Sequence, residues 1–490
     1  MGGGTDYSSG IVIDNQDNVY VSGLFEECYN PINDPYYGIP KIGDNNSIDF
    51  TSTSSSSSSC QREFIAKFNN DGIFQWIHYP YSPLSDPVYA PNTMRISRNF
   101  YIINNVIHWI VYLFPGTYEN GAVVNTNTSL PFLTYIFKYD VNGSFLEATL
   151  FDLQMSGFTS AELRWYRNPY NGNYYAVTRH NTNNTTIIAG GNTLSANPSK
   201  IICFNAQGQY LWHRETTGIF AEILTIGFDN SNNTYVVGVT HSFGTDTFLG
   251  FNISGTNTGT TAFIMKCNSD VTAYSWVNYY TTNSLAGYAQ LSDVTLYYNS
   301  YADEILFGGG IGTEYFNWGG QTEIGPGMNN ARDPLLARFN PHTGACIDMH
   351  RLVGGNGYED GFTKIIQDNN GDLILGGFMG YQLTDSNGTN YYSYGGNSDF
   401  MVTKFATEPC PSLANEDFEE SNLYLYPNPT TDILHINLTE NAAYILYDIL
   451  GKELQRGNLS PNENTINLSG FEKGIYLLSI NNQQFKVLRD

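Results

Sequence analysis

"DNSNNTYVVG", residues 229–238, sets a cluster of turn-forming Asp, Asn and Ser residues directly before an alternating run of β-branched and aromatic ones. Side chains that tolerate positive φ followed by strand formers mark the tip of a β-hairpin and the strand that leaves it. The pattern returns as "DNQDNVYVSG" at 14–23 and "DNNGDLILGG" at 368–377, and more weakly as "NSYADEILFG" at 299–308. Two degenerate copies, near Asn105 and Asn173, bring the number to six.

A second pattern alternates with the first. It reads "FIAKFNNDGIFQW" at 64–76, "YIFKYDVNGSFLE" at 135–147, "KIICFNAQGQYLW" at 200–212, "FIMKCNSDVTAYSW" at 263–276, "LLARFNPHTGACID" at 335–348 and "FMVTKFATEPC" at 400–410. Its Lys-like position, Lys or Arg in every copy but the third, where it is Cys203, falls at 67, 138, 203, 266, 338 and 404, so the period is 63 to 72 residues. Each copy is again two apolar runs around a turn. Two hairpins per period give about four strands, and a four-stranded unit repeated four to eight times describes a β-propeller. Six blades are expected, or seven if an entire blade is missing.

The sixth copy stops after its first strand, at "MVTKFA". "MGGGTDYSSGIVIDN" at the start aligns with "LVGGNGYEDGFTKIIQDN" at 352–369. In a closed ring the fourth strand of blade six is therefore expected from upstream of Met1, together with a signal peptide, since the recorded start has neither a basic nor an apolar leader region. These repeats resemble the SBBP family of β-propeller repeats, in which a "GG…D…GI…D…GN.YV.G" block precedes a "D.F..K…G" block. The likeness covers roughly residues 1–405 and is loosest in the second and third repeats.

The connectors between paired motifs run to between about 18 and 38 residues, and such insertions map to the loops of one face, often the binding face. Examples are 241–259 and 379–398; the longest contains "TSTSSSSSSC".

Beyond Phe405 the repeat ends. An acidic, Pro-containing stretch, 407–421, reads as a linker, and 422–490 alternates apolar and polar residues between turn signals, as a small β-sandwich does. The motifs here are "YPNPTTDILHINL" with Pro427, Asn428 and Pro429, "YDILGKE" with Asp448 and Gly451, "GIYLLSI" with Gly474 and Tyr476, and a basic finish at Lys486 and Arg489. This tail closely resembles the type A C-terminal sorting domain of the type IX secretion system. The resemblance implies export from a Bacteroidota-type cell after Sec passage. It also implies recognition of the tail by the secretion machinery, and its removal by a surface sortase that releases the body or anchors it outside.

Composition agrees with an extracellular role. Lys+Arg number 22 against 46 Asp+Glu, a formal charge of -24, with only 14% charged residues. Phosphate neutralisation needs clustered cations, so nucleic acid is excluded as a partner, and anionic membranes are disfavoured. The apolar stretch 101–114 is too short to span a bilayer and reads as a buried strand pair, so no integral membrane protein is expected. Glycine at position 2 fails the myristoylation pattern because Asp6 stands where Ser or Thr is needed.

Six cysteines are too few for a disulfide scaffold. Cys28 and Cys60 flank one insertion and are candidates for a disulfide in an oxidising compartment, whereas Cys203 and Cys267 read as small buried hydrophobes.

No hydrolase, phosphate-binding or dinucleotide motif occurs, and no catalytic, cofactor or metal-binding residue is assigned. His78, His213 and His350 recur at similar repeat positions, which a half-buried strand explains better than a metal. The Asp/Asn clusters at 14–18, 229–233 and 368–372 have the oxygens for Ca²⁺, but hairpin turns require the same residues. "NNDGIFQW" at 69–76 is similar to the Asp-box of sialidase-type propellers, itself a structural hairpin. Thirty-seven tyrosines suit sugar or protein surfaces as well as strands. The expected function is thus non-catalytic binding or adhesion to an extracellular glycan or protein. Alternatives are a polysaccharide hydrolase or lyase, and a structural surface or motility component.

Overall fold

A computed structural model describes residues 7–26, 61–78, 80, 94–113, 116–126, 132–156, 163–178, 186–195, 198–217, 221–240, 247–252, 261–282, 292–312, 316–325, 332–355, 359–368, 371–385, 388–392, 399–406, 424–438, 440–449, 451–480 and 483–490. Cys28 and Cys60 lie outside these, as does the whole of the expected linker, 407–421. The chain divides into two compact units, Met1–Phe405 and Ala406–Asp490.

The first unit is a β-propeller. Blade one is built from Tyr7–Ile13, Val19–Glu26, Gln61–Phe68 and Phe74–His78, and blade two from Met94–Ile103, Val106–Leu113, Phe132–Asp140 and Phe145–Ser156. Blade three follows with Leu163–Arg167, Tyr174–Thr178, Lys200–Phe204 and Tyr210–Glu215, and blade four with Ala221–Phe228, Thr234–Thr240, Thr261–Cys267 and Tyr274–Thr282. Blade five comprises Ser292–Asn299, Glu304–Ile311, Asp333–Phe339 and Cys346–Arg351. Blade six has Gly361–Gln367, Leu373–Met379 and Asp399–Phe405, with no fourth strand among the described residues. Every pairing within a blade is antiparallel, no sheet closes on itself, and successive first strands pack side by side from blade one to blade six.

Both faces of a blade are covered by neighbours, so middle strands lose the usual polar side. Tyr174–Thr178 and Lys200–Phe204 are buried at every residue. The resulting apolar clusters join adjacent blades. Trp165, Phe151 and Phe204 pack between blades two and three, and Tyr235, Phe307 and Phe339 between blades four and five. Cys203 and Cys267 sit in third strands, fully buried, with burial pushing both thiols up to about 12.

The repeated turns lock the blades together. In blade one, Lys67 Nζ and Trp76 Nε1 both donate to the carbonyl of Val141, at 3.1 and 3.2 Å, in the outer turn of blade two. Blade four repeats the device: Lys266 Nζ and Trp276 Nε1 reach the carbonyl of Pro341 in blade five at 3.0 and 3.1 Å. Arg214 Nε does the same from blade three to Val271 of blade four, at 3.0 Å.

The long connectors have a structural use that their length did not disclose. In blades two to six, the connector between the second and third strands folds into a short hairpin that reaches back to the preceding blade. Thr186–Ala189 of blade three pairs with the fourth strand of blade two, and Phe316–Trp318 of blade five with that of blade four. Gln382–Thr384 of blade six pairs with Val353–Gly354, just past the fourth strand of blade five. In blade four, Thr247 exchanges hydrogen bonds with Thr217, beyond the fourth strand of blade three. In blade two the contact is side-chain based: Glu119, buried at the hairpin tip, accepts from His78 of blade one at 3.1 Å and from Tyr139 at 2.8 Å. Each hairpin buries at least one apolar residue beneath it, among them Tyr118, Leu194, Phe248, Trp318 and Leu383.

Candidate functional site

The second unit is a β-sandwich. One sheet orders Tyr424–Tyr426, Ile433–Leu438 and Asn462–Asn467; the other orders Glu453–Leu459, Ala442–Asp448, Gly474–Ile480 and Gln483–Arg489. Alternate residues of both face inward, among them Leu434, Ile436, Leu446, Leu478 and Val487.

The residues singled out in the tail converge on its last strand, Gln483–Arg489. Asn428 acts there as a backbone mimic: its Nδ2 donates to the carbonyl of Lys486 at 2.7 Å, and its Oδ1 accepts from the N–H of Leu488 at 2.9 Å. Two residues on, Thr430 N–H donates to the carbonyl of Leu488 at 2.8 Å, and Asp490 N–H to that of Thr430 at 2.9 Å. The segment through Pro427, Asn428 and Pro429 thus occupies the outer edge of the terminal strand, where neither proline has an N–H to miss. On the inner edge, Gly474 faces Arg489 and Tyr476 faces Val487, while Tyr476 pairs on its other side with Asp448. Asp448 and Gly451 form the adjoining turn, with Lys452 N–H donating to Asp448 Oδ1 at 2.9 Å and Gly451 at φ 81°.

Sequence reasoning missed Thr430 and left Arg489 as no more than a basic finish. The Arg489 guanidinium ties the strand back to the Phe471 carbonyl and to Asp432, at 3.4 Å from the latter. Partners nearly sixty residues apart leave no trace in a local pattern. Pro427, Asn428, Pro429 and Lys486 are all exposed, so the strand and its clamp present one accessible edge.

On the propeller, the blade-six hairpin presents a polar aromatic surface. Tyr381, Tyr391 and Tyr392 are 50%, 54% and 59% exposed. The rings of Tyr381 and Tyr392 meet edge to face at 6.0 Å. Beside them Asn390 Oδ1 accepts from Gln382 Nε2 at 3.0 Å and from Thr384 Oγ1 at 2.7 Å, which orients the amides around the rings.

The remaining polar clusters have internal partners. Asp14 Oδ1 accepts from the N–H groups of Gln16 and Asn18, and its Oδ2 from Tyr20; Asp229 repeats this with Ser231, Asn233 and Tyr235. Those hydrogen bonds hold the Asp14 and Asp229 carboxyls below the usual range despite the opposing desolvation. Asn69, which opens the Asp-box-like turn, likewise accepts from Asp71 and Ile73. His78, His213 and His350 all lie in fourth strands, against Glu119, Tyr210 and Asp348 respectively. Among the described residues no three His, Cys, Asp or Glu side chains converge as metal ligands would, and no helix is long and apolar enough to cross a membrane. Asp333 and Asp360 do approach each other from blades five and six, but at 1% and 0% exposure no polysaccharide reaches them. Burial raises both carboxyls, that of Asp360 to about 6.

Comparison with known proteins bears on the tail. Residues 424–489 match the family described as secretion system C-terminal sorting domain. A curated relative, beta-agarase A of Zobellia galactanivorans, is 32% identical over 79 residues, which is 16% of this chain and 15% of that protein's length. Among solved structures, a protein of unknown function from Dyadobacter fermentans superposes over 82% of this chain and 95% of its own, with 9% identity and a TM-score of 0.41. A glycoside hydrolase family 32 protein from Bifidobacterium adolescentis does so over 89% and 85%, with 8% identity and a TM-score of 0.28. The clamped terminal strand and the family match together identify residues 424–489 as a type IX secretion sorting domain, and place the protein at the cell surface or in the medium.

Proposed function

We propose that residues 1–406 are the exported cargo, a non-catalytic propeller that binds an extracellular glycan, and that 407–421 is the linker at which the 422–490 tail is removed. The observation that carries the binding reading is the tyrosine surface of the blade-six hairpin. Sugar rings stack their C–H faces on exposed aromatic rings and hydrogen-bond to oriented amides, and Tyr381, Tyr392, Asn390 and Gln382 combine the two. This hairpin belongs to one of the long connectors, so the long-loop side is the binding side. In the tail, Pro427, Asn428, Pro429 and Lys486 are the exposed edge that the secretion machinery reads, with Asp448, Gly451, Gly474 and Tyr476 supporting it.

The test is a binding screen of the purified chain against a panel of polysaccharides, with each mixture checked for cleavage products. Binding without products, weakened about tenfold or more in Tyr392→Ala, is the expected result. Release of products would replace it with the hydrolase or lyase reading, and binding indifferent to Tyr392→Ala and Tyr381→Ala would move the site elsewhere.

A further inference from the structure

Cations are distributed unevenly over the propeller. Residues 1–405 contain 17 Lys and Arg, and 14 of them lie in blade strands. The connectors between second and third strands, which make the long-loop side, hold only Lys41, Arg179 and Arg332. The blade-six connector, 379–398, has none: its one charged residue is Asp385, set among Tyr381, Tyr391, Tyr392, Tyr394 and a series of Asn, Thr, Ser and Gly.

The cations placed around this hairpin are already held by carboxylates. Arg332 pairs with Glu359 at 3.4 Å. Arg351 pairs with Asp333, whose Oδ1 also accepts from the N–H of Gly354, the residue that faces Leu383 of the hairpin. Lys404 reaches Asp372 at 2.6 Å and Asp368 at 3.0 Å, and Lys364 stands in the first strand of the blade, opposite Gly376. The hairpin's own charge is negative and fixed at its tip: Asp385 Oδ1 accepts from the N–H of Thr389 at 2.8 Å, and its Oδ2 from the Tyr391 hydroxyl at 3.3 Å.

Uronate and sulfate groups are recognised by Arg and Lys through charge-assisted hydrogen bonds. On this surface such an anion would lose its water with no countercharge to replace it. A sugar ring without charge needs none, since its C–H face stacks on a phenol ring and its hydroxyls bond to amides. The formal charge of -24 works in the same sense at longer range, repelling polyanions over about 10 Å at 0.1 M salt and leaving an uncharged chain unaffected.

We propose that the blade-six hairpin takes uncharged polysaccharides and rejects uronate- and sulfate-bearing ones, an inference that rests on the tyrosine surface being the glycan-binding site.

The experiment measures binding of the full chain at pH 7.5, in 20 and 500 mM NaCl, to matched neutral and charged polymers: dextran and dextran sulfate, hydroxyethyl cellulose and carboxymethyl cellulose, methyl-esterified pectin and polygalacturonate. Expected is binding of at least one neutral polymer with an affinity that stays within about twofold between the two salts. Its charged counterpart should bind about tenfold or more weakly at 20 mM NaCl, and Tyr392→Ala should weaken the neutral interaction. A charged polymer bound as tightly as its neutral counterpart, with binding that falls as salt rises, would overturn the ligand class and leave a glycan-binding surface standing. Neutral binding indifferent to both Tyr392→Ala and Tyr381→Ala would take the selectivity away from this hairpin. Binding of none of the six polymers at either salt would overturn the glycan reading and this inference together.

Discussion

Single residues decide how tightly blades dock, and glycines show it best. Gly344 ends the outer turn of blade five at φ 74°, and a Cβ there would stand 2.4 Å from the ring of Trp276, which reaches over from blade four. Gly344→Ala is therefore expected to cost about 2–4 kcal/mol, combining left-handed strain with a clash against a held ring. Gly320→Ala, at φ 94° with nothing within 4 Å, should cost only about 1 kcal/mol; denaturant melts of the two variants give the difference. His108 sets a pH limit by another route. Burial, then the Lys138 and Arg167 charges, lower its pKa to about 4, while its Nδ1 lies 2.9 Å from the hydroxyl of Tyr174 in blade three. Because the folded value lies below the unfolded 6.5, this imidazole contributes stability above pH 6.5 that is lost as pH falls toward 4. His108→Gln should remove that loss, on the order of 1–2 kcal/mol after allowance for partial exposure. A Tm gap between wild type and variant that stays constant from pH 7 to 4.5 would contradict this.

At the scale of elements, the paired hairpins of each repeat were legible because their strands alternate and their turns carry Asn, Asp and Gly at fixed offsets. The strand pair within 101–114 was legible as well, with Asn104 and Asn105 both at positive φ between Ile103 and Val106. The reaching-back hairpins were not. Their strands are two to four residues long, too short to show a period, and their partners lie in the preceding repeat. A signal was present all the same: Gly190–Gly191 and Gly319–Gly320 have the consecutive positive φ values of a tight hairpin turn. In the tail, the order of motifs was readable while the side-chain clamp of Asn428 was not, because an amide imitating a backbone looks like any exposed asparagine. These hairpins also separate stability from binding. Trp318, fully buried between Phe307 and Phe339 at ring distances of 5.1 and 4.9 Å, should cost about 3–5 kcal/mol when changed to Ala. Tyr392→Ala, on an exposed face, should leave the melting curve within about 0.5 kcal/mol of wild type and affect only glycan binding.

For the whole molecule, the sorting tail determines where the protein works. Mature protein recovered from outside its native host is expected to end between Ala406 and Ser421, so an exported, processed form that yields a peptide containing Arg489 would contradict removal of the tail. Asn428→Ala, which strips two hydrogen bonds from the terminal strand, should destabilise the tail by about 1–3 kcal/mol and reduce export of a reporter fused to residues 407–490. Pulse-chase fractionation of cells carrying the two fusions measures the effect.

The back-reaching hairpins give the propeller a mechanical polarity. Drag on a body tethered from its C-terminal side enters through blade six, and peeling that blade away takes with it the hairpin that covers the edge of blade five. The next blade is then the weaker one, and rupture propagates backward as a series of similar events. Force entering from blade one frees the blade-two hairpin but leaves the fourth strand of blade two covered by the hairpin of blade three. In single-molecule stretching, the two pulling directions should therefore give different rupture sequences from the same fold.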